Sequence, residues 1–490
     1  MSGFKSLFKQ TFIYGLATVL PRMLSFLLVP LYTSEAVLAN PSEYGKVSVI
    51  FSYFVLFNVI LAYGMETAFF RFFNKEDDKD NVVSTSTISL MVSSLVFFVL
   101  ALAFQNQIAY VIDIDVKYIN LVISILLLDA LVIIPFAWLR ANEKPMRYAV
   151  IKIINVVINI GLNLFFLLAL KDLAANENIF SSIYKPNFEI SYIFIANLVA
   201  SAFTLLLMAS FYIKLNYKFD KNLWQQMLRY AFPVLIAGVA FSINETFDRI
   251  LLKELLPADI AESQIGMYSA CYKLALFMTL FATAYRLGIE PYFFSHAKTK
   301  NPQKNYANIL EFFVAFGSII LLAVVVFADV LKPFIIRSEA YWEAMQIVPI
   351  ILLANFCLGI YHNLSVWYKI TDRTKFGAYI SIVGAVITLI INFVFIKAYG
   401  YMASAVATLV AYASMMLLSY YFGRKYYPIP YNLKKIGLNL LVSIAFSMLY
   451  FYQYRGNYII GITMLIVFLG LVILLEKNQL LSVLKKQKSN

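Results

Sequence analysis

Trp138-Leu-Arg-Ala-Asn-Glu-Lys144 has a counterpart later in the chain, Trp367-Tyr-Lys-Ile-Thr-Asp-Arg373, at a shift of 229 residues. The same shift places Asn163-Leu-Phe-Phe166 over Asn392-Phe-Val-Phe395 in the apolar run that follows. Each match alone is weak, because apolar segments resemble one another by chance. Matches that recur at one offset indicate an internal duplication of the chain.

A third pair of segments supports the duplication. Gly64-Met-Glu-Thr-Ala-Phe-Phe70 resembles Gly288-Ile-Glu-Pro-Tyr-Phe-Phe294 at a shift of 224, again at corresponding ends of two apolar runs. Matched segments are six apolar runs apart, and an even number preserves the direction in which a helix crosses a membrane. The sequence therefore predicts two parallel repeats around an axis normal to the membrane, an arrangement that many transporters use.

The composition predicts that these apolar runs span a membrane. Hydrophobic residues make up 61% of the 490 residues and charged residues 14%, whereas soluble domains are nearer half apolar and a quarter charged. One span takes about 20 apolar residues in a helix. We predict an all-α integral membrane protein with about fourteen spans, near 10–32, 44–70, 82–104, 118–140, 146–170, 190–213, 230–252, 265–294, 307–331, 344–368, 376–396, 401–422, 433–452 and 457–475.

The duplication also predicts the domain organisation. Residues 1–214 form an N-lobe of spans one to six, and residues 215–430 form a C-lobe of spans seven to twelve. Residues 431–490 add two helices outside the repeat and a tail. The connections between spans are short, so we expect no folded soluble domain.

The basic residues predict the orientation. The chain has 40 Lys and Arg against 27 Asp and Glu, and a net charge of +13. With a cytoplasmic N-terminus, 26 of the 40 lie on the cytoplasmic side and 9 on the outer side. Cytoplasmic loops are enriched in Lys and Arg, so both termini are predicted in the cytoplasm, and no nucleic-acid partner is expected. The first apolar run is too long for a cleavable signal peptide and is interpreted as a mature helix.

Ionisable side chains within the predicted spans are the candidate functional residues, because charge at the bilayer centre costs at least about 2.5 kcal/mol and usually faces a cavity or the bundle interior. The candidates for binding an anionic substrate in a cationic cavity are Arg22, Lys152, Arg249, Lys273 and Arg286. The candidates for coupling to an ion are Asp248, Glu245 and Glu290.

Each of these residues also has a purely structural interpretation. Two pairs with four-residue spacing are able to neutralise one another on a single helix face: Glu245–Arg249 and Arg286–Glu290. The other three cations have no carboxylate three or four residues away in their own span. For them the alternative is pairing with another helix or snorkelling to the membrane surface, and Lys152 is near enough to the end of its span to snorkel.

Buried cations suit a cargo that carries phosphate, since Arg and Lys donate charge-assisted hydrogen bonds to phosphate oxygens. No His-x-x-x-His, Gly-x-Ser-x-Gly or Gly-x-x-x-x-Gly-Lys motif occurs in the sequence. Cys271 and Cys357 lie in separate apolar runs and are interpreted as packing residues. We therefore expect a protein that is not an enzyme, with no metal site and no cofactor beyond a coupling Na+ or H+.

Several segments resemble the polysaccharide-transporter branch of the MOP exporter superfamily, the Wzx-type oligosaccharide flippases. The resemblance covers nearly the whole chain, and its clearest segments are Tyr14-Gly-Leu-Ala-Thr-Val-Leu-Pro-Arg-Met-Leu-Ser-Phe-Leu-Leu-Val-Pro-Leu-Tyr32, Glu43-Tyr-Gly45, Arg229-Tyr-Ala-Phe-Pro-Val234, Asp248-Arg249 and Asn392-Phe-Val-Phe-Ile-Lys-Ala-Tyr-Gly-Tyr-Met-Ala-Ser-Ala-Val-Ala-Thr408.

This resemblance implies a MATE-like, V-shaped transporter of two six-helix lobes that works by alternating access. It implies an undecaprenyl-pyrophosphate-linked repeat unit of O-antigen, capsule or exopolysaccharide as substrate, flipped from the cytoplasmic to the periplasmic leaflet of the bacterial inner membrane. Membrane lipids, a polysaccharide polymerase and a chain-length protein would be the partners. The alternatives are a multidrug exporter of the same superfamily, a lipid II flippase and, from a different class, a membrane glycosyltransferase or polymerase.

Overall fold

The computed structural model describes residues 26–175, 179–296 and 302–487. Within these residues the chain forms helices and no strand. In the described part of the chain, thirteen helical stretches are long and apolar enough to cross a membrane. A helix suits this environment because its backbone groups bond to one another within the helix. The prediction of an all-α, multi-span membrane protein is confirmed. Most of predicted span one lies outside the described residues.

The chain divides into two compact units. The first comprises residues up to Gly266 together with Thr388–Gly400. Its helices are α1 (Val29–Tyr32), α2 (Pro41–Ala62), α3 (Met65–Lys75), α4 (Lys79–Ala103), α5 (Gln105–Ile112), α6 (Val116–Ala141), α7 (Pro145–Leu164), α8 (Leu170–Leu173), α9 (Glu189–Leu207), α10 (Ala209–Ile213), α11 (Lys221–Leu255) and the start of α12 (Ala258–Tyr272). A π-helical turn, Phe165–Ala169, joins α7 to α8.

The second unit comprises residues 267–387 and 401–490. Its helices are the end of α12, α13 (Leu276–His296), α14 (Pro302–Val326), α15 (Ala328–Ile335), α16 (Val348–Leu364), α17 (Val366–Ile370), α18 (Lys375–Tyr399, which ends in the first unit), α19 (Tyr401–Tyr426), α20 (Leu433–Gln453) and α21 (Tyr458–Gln487). Helix α14 packs along α20 and against α21. The lobe boundaries at 214 and 430 rest on the sequence repeat and stay a prediction.

The duplicated sequence folds into duplicated turns. The sixth residue of each repeated segment, Glu143 or Asp372, has a positive φ, 52° in the first and 57° in the second. The N–H of the seventh residue, Lys144 or Arg373, donates to the carbonyl of the second residue, at 2.9 and 2.8 Å. A left-handed residue with a side chain costs about 1–2 kcal/mol, so its recurrence at one position shows that the two segments share a local fold.

The asparagines of the second repeated pair also have matching environments. Asn163 and Asn392 are both buried, and each Nδ2 donates to the carbonyl of the residue four positions earlier, Asn159 or Thr388, at 2.8 Å. A buried amide needs such partners because an unsatisfied polar group is costly away from water. The repeat therefore extends from the turns into the helices that follow them.

Predicted span two is interrupted in the structure. Helix α2 ends before Tyr63 and Gly64, which have φ of 31° and 72°, and α3 begins at Met65. Glu66 consequently lies in the first turn of α3, where it forms an ion pair with Arg140. The sequence analysis gives no break within residues 44–70; the break arises because Gly64 readily takes a left-handed conformation that ends the helix.

Two glycines allow α2 and α12 to pack closely within the first unit. A Cβ atom at Gly45 would overlap the backbone carbonyl of Glu262, and one at Gly266 would overlap that of Pro41. Small residues at such positions let helix backbones approach one another in membranes. The contact holds the start of α12 in place and brings Ser42 Oγ within 2.7 Å of a Glu262 carboxylate oxygen.

Candidate functional site

Helix α11 carries a buried ion pair between consecutive residues. Asp248 is 3% exposed and Arg249 is 8% exposed, and Arg249 Nη1 donates to Asp248 Oδ1 at 2.8 Å. The same nitrogen lies 3.2 Å from the backbone carbonyl oxygen of Glu245. Opposite charges attract strongly where water is excluded. The structure thus gives Arg249 a partner, Asp248, that the four-residue spacing does not suggest.

Polar oxygens surround this pair on α11 and α18 in the first unit. Asn244 lies one helical turn before Asp248, on the same face, and its Oδ1 accepts a hydrogen bond from Thr388 Oγ1 at 2.9 Å. Asn244, Thr388 and Asn392 are all buried. Carboxylate, amide and hydroxyl oxygens are the ligands that hard cations prefer, so this patch has the donor chemistry of a cation site.

Lys152 lies close to groups of one other helix of the first unit, α6. Its Nζ lies 4.2 Å from the ring centroid of Phe136 on α6, and it interacts electrostatically with Asp129, also on α6. Asp129 Oδ1 accepts a hydrogen bond from Ser201 Oγ on α9 at 2.8 Å. The side chain of Lys152 thus lies against α6, over the ring of Phe136.

Lys273 lies at a break in predicted span eight. Helix α12 ends at Tyr272, Lys273–Ala275 forms a 3-10 turn, and α13 begins at Leu276. The buried Asn355 lies with its Nδ2 3.4 Å from the carbonyl oxygen of Ala275. No proline or glycine marks this place, so the sequence carries no break signal. A 3-10 stretch inside a long helix is a common place for a hinge, which puts Lys273 at a potential moving point.

Arg286 is near two further basic side chains in the second unit. One cavity is lined by Arg286, Ile289, Phe293, His362, Asn363, Ser365, Val366 and Lys369. Arg286 comes from α13, His362 from α16 and Lys369 from α17. Arg286 and Lys369 bring positive charge from two helices to this cavity, and such charge attracts an anion such as phosphate. At about 10 Å³ the cavity has room for no more than about one water molecule in this structure.

Two predicted residues are beyond what the structure describes. Arg22 lies outside the described residues, and Glu290 lies in α13 with its side chain outside the described part. The structure places Lys152, Glu245, Asp248 and Arg249 in the first unit, and Lys273 and Arg286 in the second. Within the described residues no group of three or more His, Cys, Asp or Glu is arranged to hold a metal ion.

The structure adds residues that the sequence analysis missed. Lys369 was assigned to a loop and His362 to no site, yet both line the Arg286 cavity. Asn244 and Thr388 are uncharged, and polar residues within apolar helices are too common to mark a site. The internal repeat places Lys369 over Arg140, which forms an ion pair with Glu66 in the first unit.

Comparison with known proteins identifies relatives. The sequence profile of the family described as "Polysaccharide biosynthesis protein" matches residues 7–296. An uncharacterized membrane protein of Methanocaldococcus jannaschii is 24% identical over 193 residues, which are 39% of this chain and 44% of that relative.

Similar solved structures share the fold. The lipid II flippase MurJ in an inward closed conformation has a TM-score of 0.71 at 16% identity, covering 96% of this chain and 100% of its own. An inward-facing multidrug resistance MATE transporter of the MOP superfamily has a TM-score of 0.62 at 13% identity. The match covers 88% of this chain and 96% of that transporter. A MOP superfamily transporter from Pyrococcus furiosus has a TM-score of 0.56 at 12% identity. The match covers 86% of this chain and 94% of that transporter. At such identities the likeness concerns the fold alone.

Proposed function

Because this chain belongs to the polysaccharide biosynthesis protein family, the Wzx-like branch of the MOP transporter superfamily, we propose that it flips a lipid-linked oligosaccharide across the bilayer. The substrate is an undecaprenyl-pyrophosphate-linked repeat unit of O-antigen, capsule or exopolysaccharide. It moves from the cytoplasmic to the periplasmic leaflet of the bacterial inner membrane, and both termini are cytoplasmic.

The burial of cations within spanning helices is the observation that carries this proposal. Arg249 is 8% exposed, and Arg286 lines a cavity with His362 and Lys369. Charged side chains are costly inside a membrane, and those that occur there usually have a function. The pyrophosphate of a polyprenyl carrier supplies the complementary charge. Arg22, Lys152 and Lys273 are the further candidates for contact with it.

Asp248 is the proposed coupling residue, with Glu245 and Glu290 as further candidates. Asp248 is held by Arg249 and lies on the same helix face as Asn244. A Na+ or H+ that bound to this carboxylate would weaken its pairing with Arg249. The released guanidinium would then be available to a phosphate, which links ion binding to substrate binding.

Deletion of the gene tests the cargo. The expected result is loss of surface polysaccharide, with lipid-linked repeat units accumulating on the cytoplasmic leaflet, as measured by their accessibility to an impermeant probe. Intact surface polysaccharide with raised sensitivity to cationic drugs would instead indicate a multidrug exporter. Arrest of growth with accumulation of lipid II would indicate a peptidoglycan role. Sugar transfer by the purified protein would indicate a glycosyltransferase.

Substitution tests the residues. Arg22→Ala and Lys273→Ala are each expected to abolish flipping in the complemented deletion strain while the protein stays in the membrane. Lys397→Ala removes an exposed lysine from the end of α18 and is the matched control, with normal flipping expected. Normal flipping in both Arg22→Ala and Lys273→Ala would contradict the role of the buried cations.

A further inference from the structure

A cavity of about 910 Å³ lies in the second unit, where α14 begins, α19 ends and α20 begins. The distribution of Lys and Arg predicts that these helix ends are on the cytoplasmic side. Among the described residues, the cavity shares no lining residue with the Arg286 cavity. Its walls include Lys304 and Asn308 from α14, Tyr420 and Arg424 from α19, and Pro430 and Tyr431 from the connection between α19 and α20.

The connection between α19 and α20 forms a firm wall of this cavity. Pro428 and Pro430 both line it, and their rings restrict the backbone to a narrow range of φ. Between them, Ile429 packs against a buried cluster that contains Phe293 and Tyr306. The wall is thus held from behind by the protein core. Ligand-binding cavities are usually formed in advance in this way.

Two cations line the cavity from two helices. Lys304 near the start of α14 and Arg424 near the end of α19 are both exposed. Among the described residues, neither side chain forms an ion pair or a hydrogen bond. Glu311, the acid that lines the described part of the cavity, has its Oε2 2.9 Å from Lys435 Nζ. Lys304 and Arg424 are therefore available to an anion, for which Arg and Lys supply charge-assisted hydrogen bonds.

One face of α19 has the same order of groups as a phospholipid. Arg424, Tyr420 and Leu417 are separated by four and three residues, so they share a helix face. A helix rises 1.5 Å per residue, which places Leu417 about 10 Å from Arg424 towards the bilayer centre. Leu417 is 61% exposed. The face therefore has a cation at headgroup level, an amphipathic ring at the interface and an aliphatic side chain at the level of the acyl chains.

We propose that this cavity binds the headgroup of an anionic glycerophospholipid from the predicted cytoplasmic leaflet. Arg424 and Lys304 contact the phosphodiester, Asn308 donates a hydrogen bond to a headgroup oxygen, and an acyl chain lies along α19 at Leu417. Basic pockets between spanning helices on the cytoplasmic side are a recognised type of site for anionic headgroups. The inference does not depend on which cargo is carried.

Photo-cross-linking of the full-length protein in phosphatidylcholine vesicles tests the proposal. The probes are phosphatidylglycerol and phosphatidylcholine with the same photoactivatable acyl chain, and the measured quantity is labelling of the α19 segment that contains Leu417. The phosphatidylglycerol probe should label this segment at lower concentration than the phosphatidylcholine probe. Arg424→Gln should raise the concentration for half-maximal labelling about fivefold, and Arg424→Gln combined with Lys304→Gln about thirtyfold.

The matched control combines Lys425→Gln with Lys434→Gln. It removes two exposed lysines from the same predicted side of the membrane that do not line the cavity, so labelling should stay as in the unaltered protein. Equal losses in the two double variants would overturn the proposal, since the attraction would then come from the basic surface as a whole. Equal labelling by the two probes would also overturn it.

Soluble glycerol phosphate distinguishes a lipid from a free phosphoester. It has the phosphate but no acyl chain, so an excess of it should leave labelling by the phosphatidylglycerol probe unchanged. Displacement of the probe would show that the cavity takes a soluble phosphoester and would overturn the lipid assignment. Because no cargo is present in these vesicles, none of the outcomes would bear on the flippase proposal.

Discussion

The two buried charge clusters of this protein are built in different ways. Asp248 and Arg249 are consecutive residues of one helix, and their ion pair forms within α11. Glu311, Lys435 and Glu476 come from three helices, and their ion pairs form only when α14, α20 and α21 pack together. The first cluster is visible in the sequence as charge inside an apolar run. The second is hidden, since each of its residues is close to a predicted span end.

This difference suggests different tasks. A neutral pair within one helix is able to open and reclose without moving other helices, which suits a site that alternates between an ion and a substrate. Glu311, Lys435 and Glu476 form a triad that ties three helices together, so removing one of its ion pairs affects how these helices pack. Buried ion pairs contribute little net stability, but removal of one partner is strongly destabilising. Substitutions in the two clusters should therefore lower the free energy of unfolding by different amounts.

The largest effect is expected for Lys435→Met. It removes the ammonium that pairs with two buried carboxylates, so the free energy of unfolding should fall by about 3–5 kcal/mol. Chemical denaturation in detergent micelles measures this change. The control is Lys434→Met, because Lys434 is the adjacent residue and is exposed; surface substitutions usually change stability by less than about 0.5 kcal/mol. Equal losses in the two variants would show that the triad is not a structural element.

A smaller effect is expected for Arg249→Met, which removes one cation from one carboxylate. The free energy of unfolding should fall by about 3 kcal/mol, and adding Asp248→Asn should restore part of it, since the buried charge is then gone. The same denaturation assay on the two single variants and the double variant gives the coupling energy. Strictly additive losses would mean that Asp248 and Arg249 do not stabilise one another.

The smallest effect is expected for a pair outside the spans. Arg455 Nε and Nη2 lie 2.7 and 2.8 Å from the two oxygens of Asp329. Hydrogen bonds from Arg455 lower the pKa of Asp329 from 3.8 to about 2. Since this carboxyl is more acidic in the folded protein, its contribution is fully present above pH 3.8 and is lost as pH falls towards 2.

After allowance for solvent screening, that loss should be about 1 kcal/mol. Stability measured across this pH range should decline less steeply in Asp329→Asn than in the unaltered protein. The result shows how much less a solvent-accessible ion pair contributes to stability than the buried clusters do. Identical pH profiles would show that the Asp329–Arg455 pair contributes nothing measurable.

Much of the fold could be predicted because the bilayer restricts a chain to few solutions. Long apolar runs must become helices. The repeated segment at Trp138 and Trp367 predicted an internal duplication, and the structure adds that the two copies form turns with a left-handed residue at the same position. The breaks at Tyr63–Gly64 and at Lys273–Ala275 were not predicted. A hydropathy average over many residues does not detect such short breaks. At the second break Asn355, which is distant in sequence, contacts the carbonyl oxygen of Ala275.

The candidate site was predictable only in part. Arg249, Lys152 and Arg286 are conspicuous in the sequence because charge is rare inside apolar runs. Their partners were not conspicuous: Asp129 approaches Lys152 from another helix, and Lys369 reaches the Arg286 cavity from a segment that looked like a loop. Charge composition reveals which residues need a partner, but helix packing decides which partner each one receives.

The sequence by itself determined that this protein is a helical membrane protein built on an internal repeat and related to oligosaccharide transporters. The helical fold and the repeat follow from hydrophobicity and matching segments, and the relation to oligosaccharide transporters follows from segments that resemble that family; all of these are local features of the chain. Only the tertiary structure decided where the helices break, which charges meet and that Lys435 lies between two carboxylates. Glu311 and Lys435 are more than a hundred positions apart in the chain, and an interaction between distant helices leaves no trace in the local sequence of either of them.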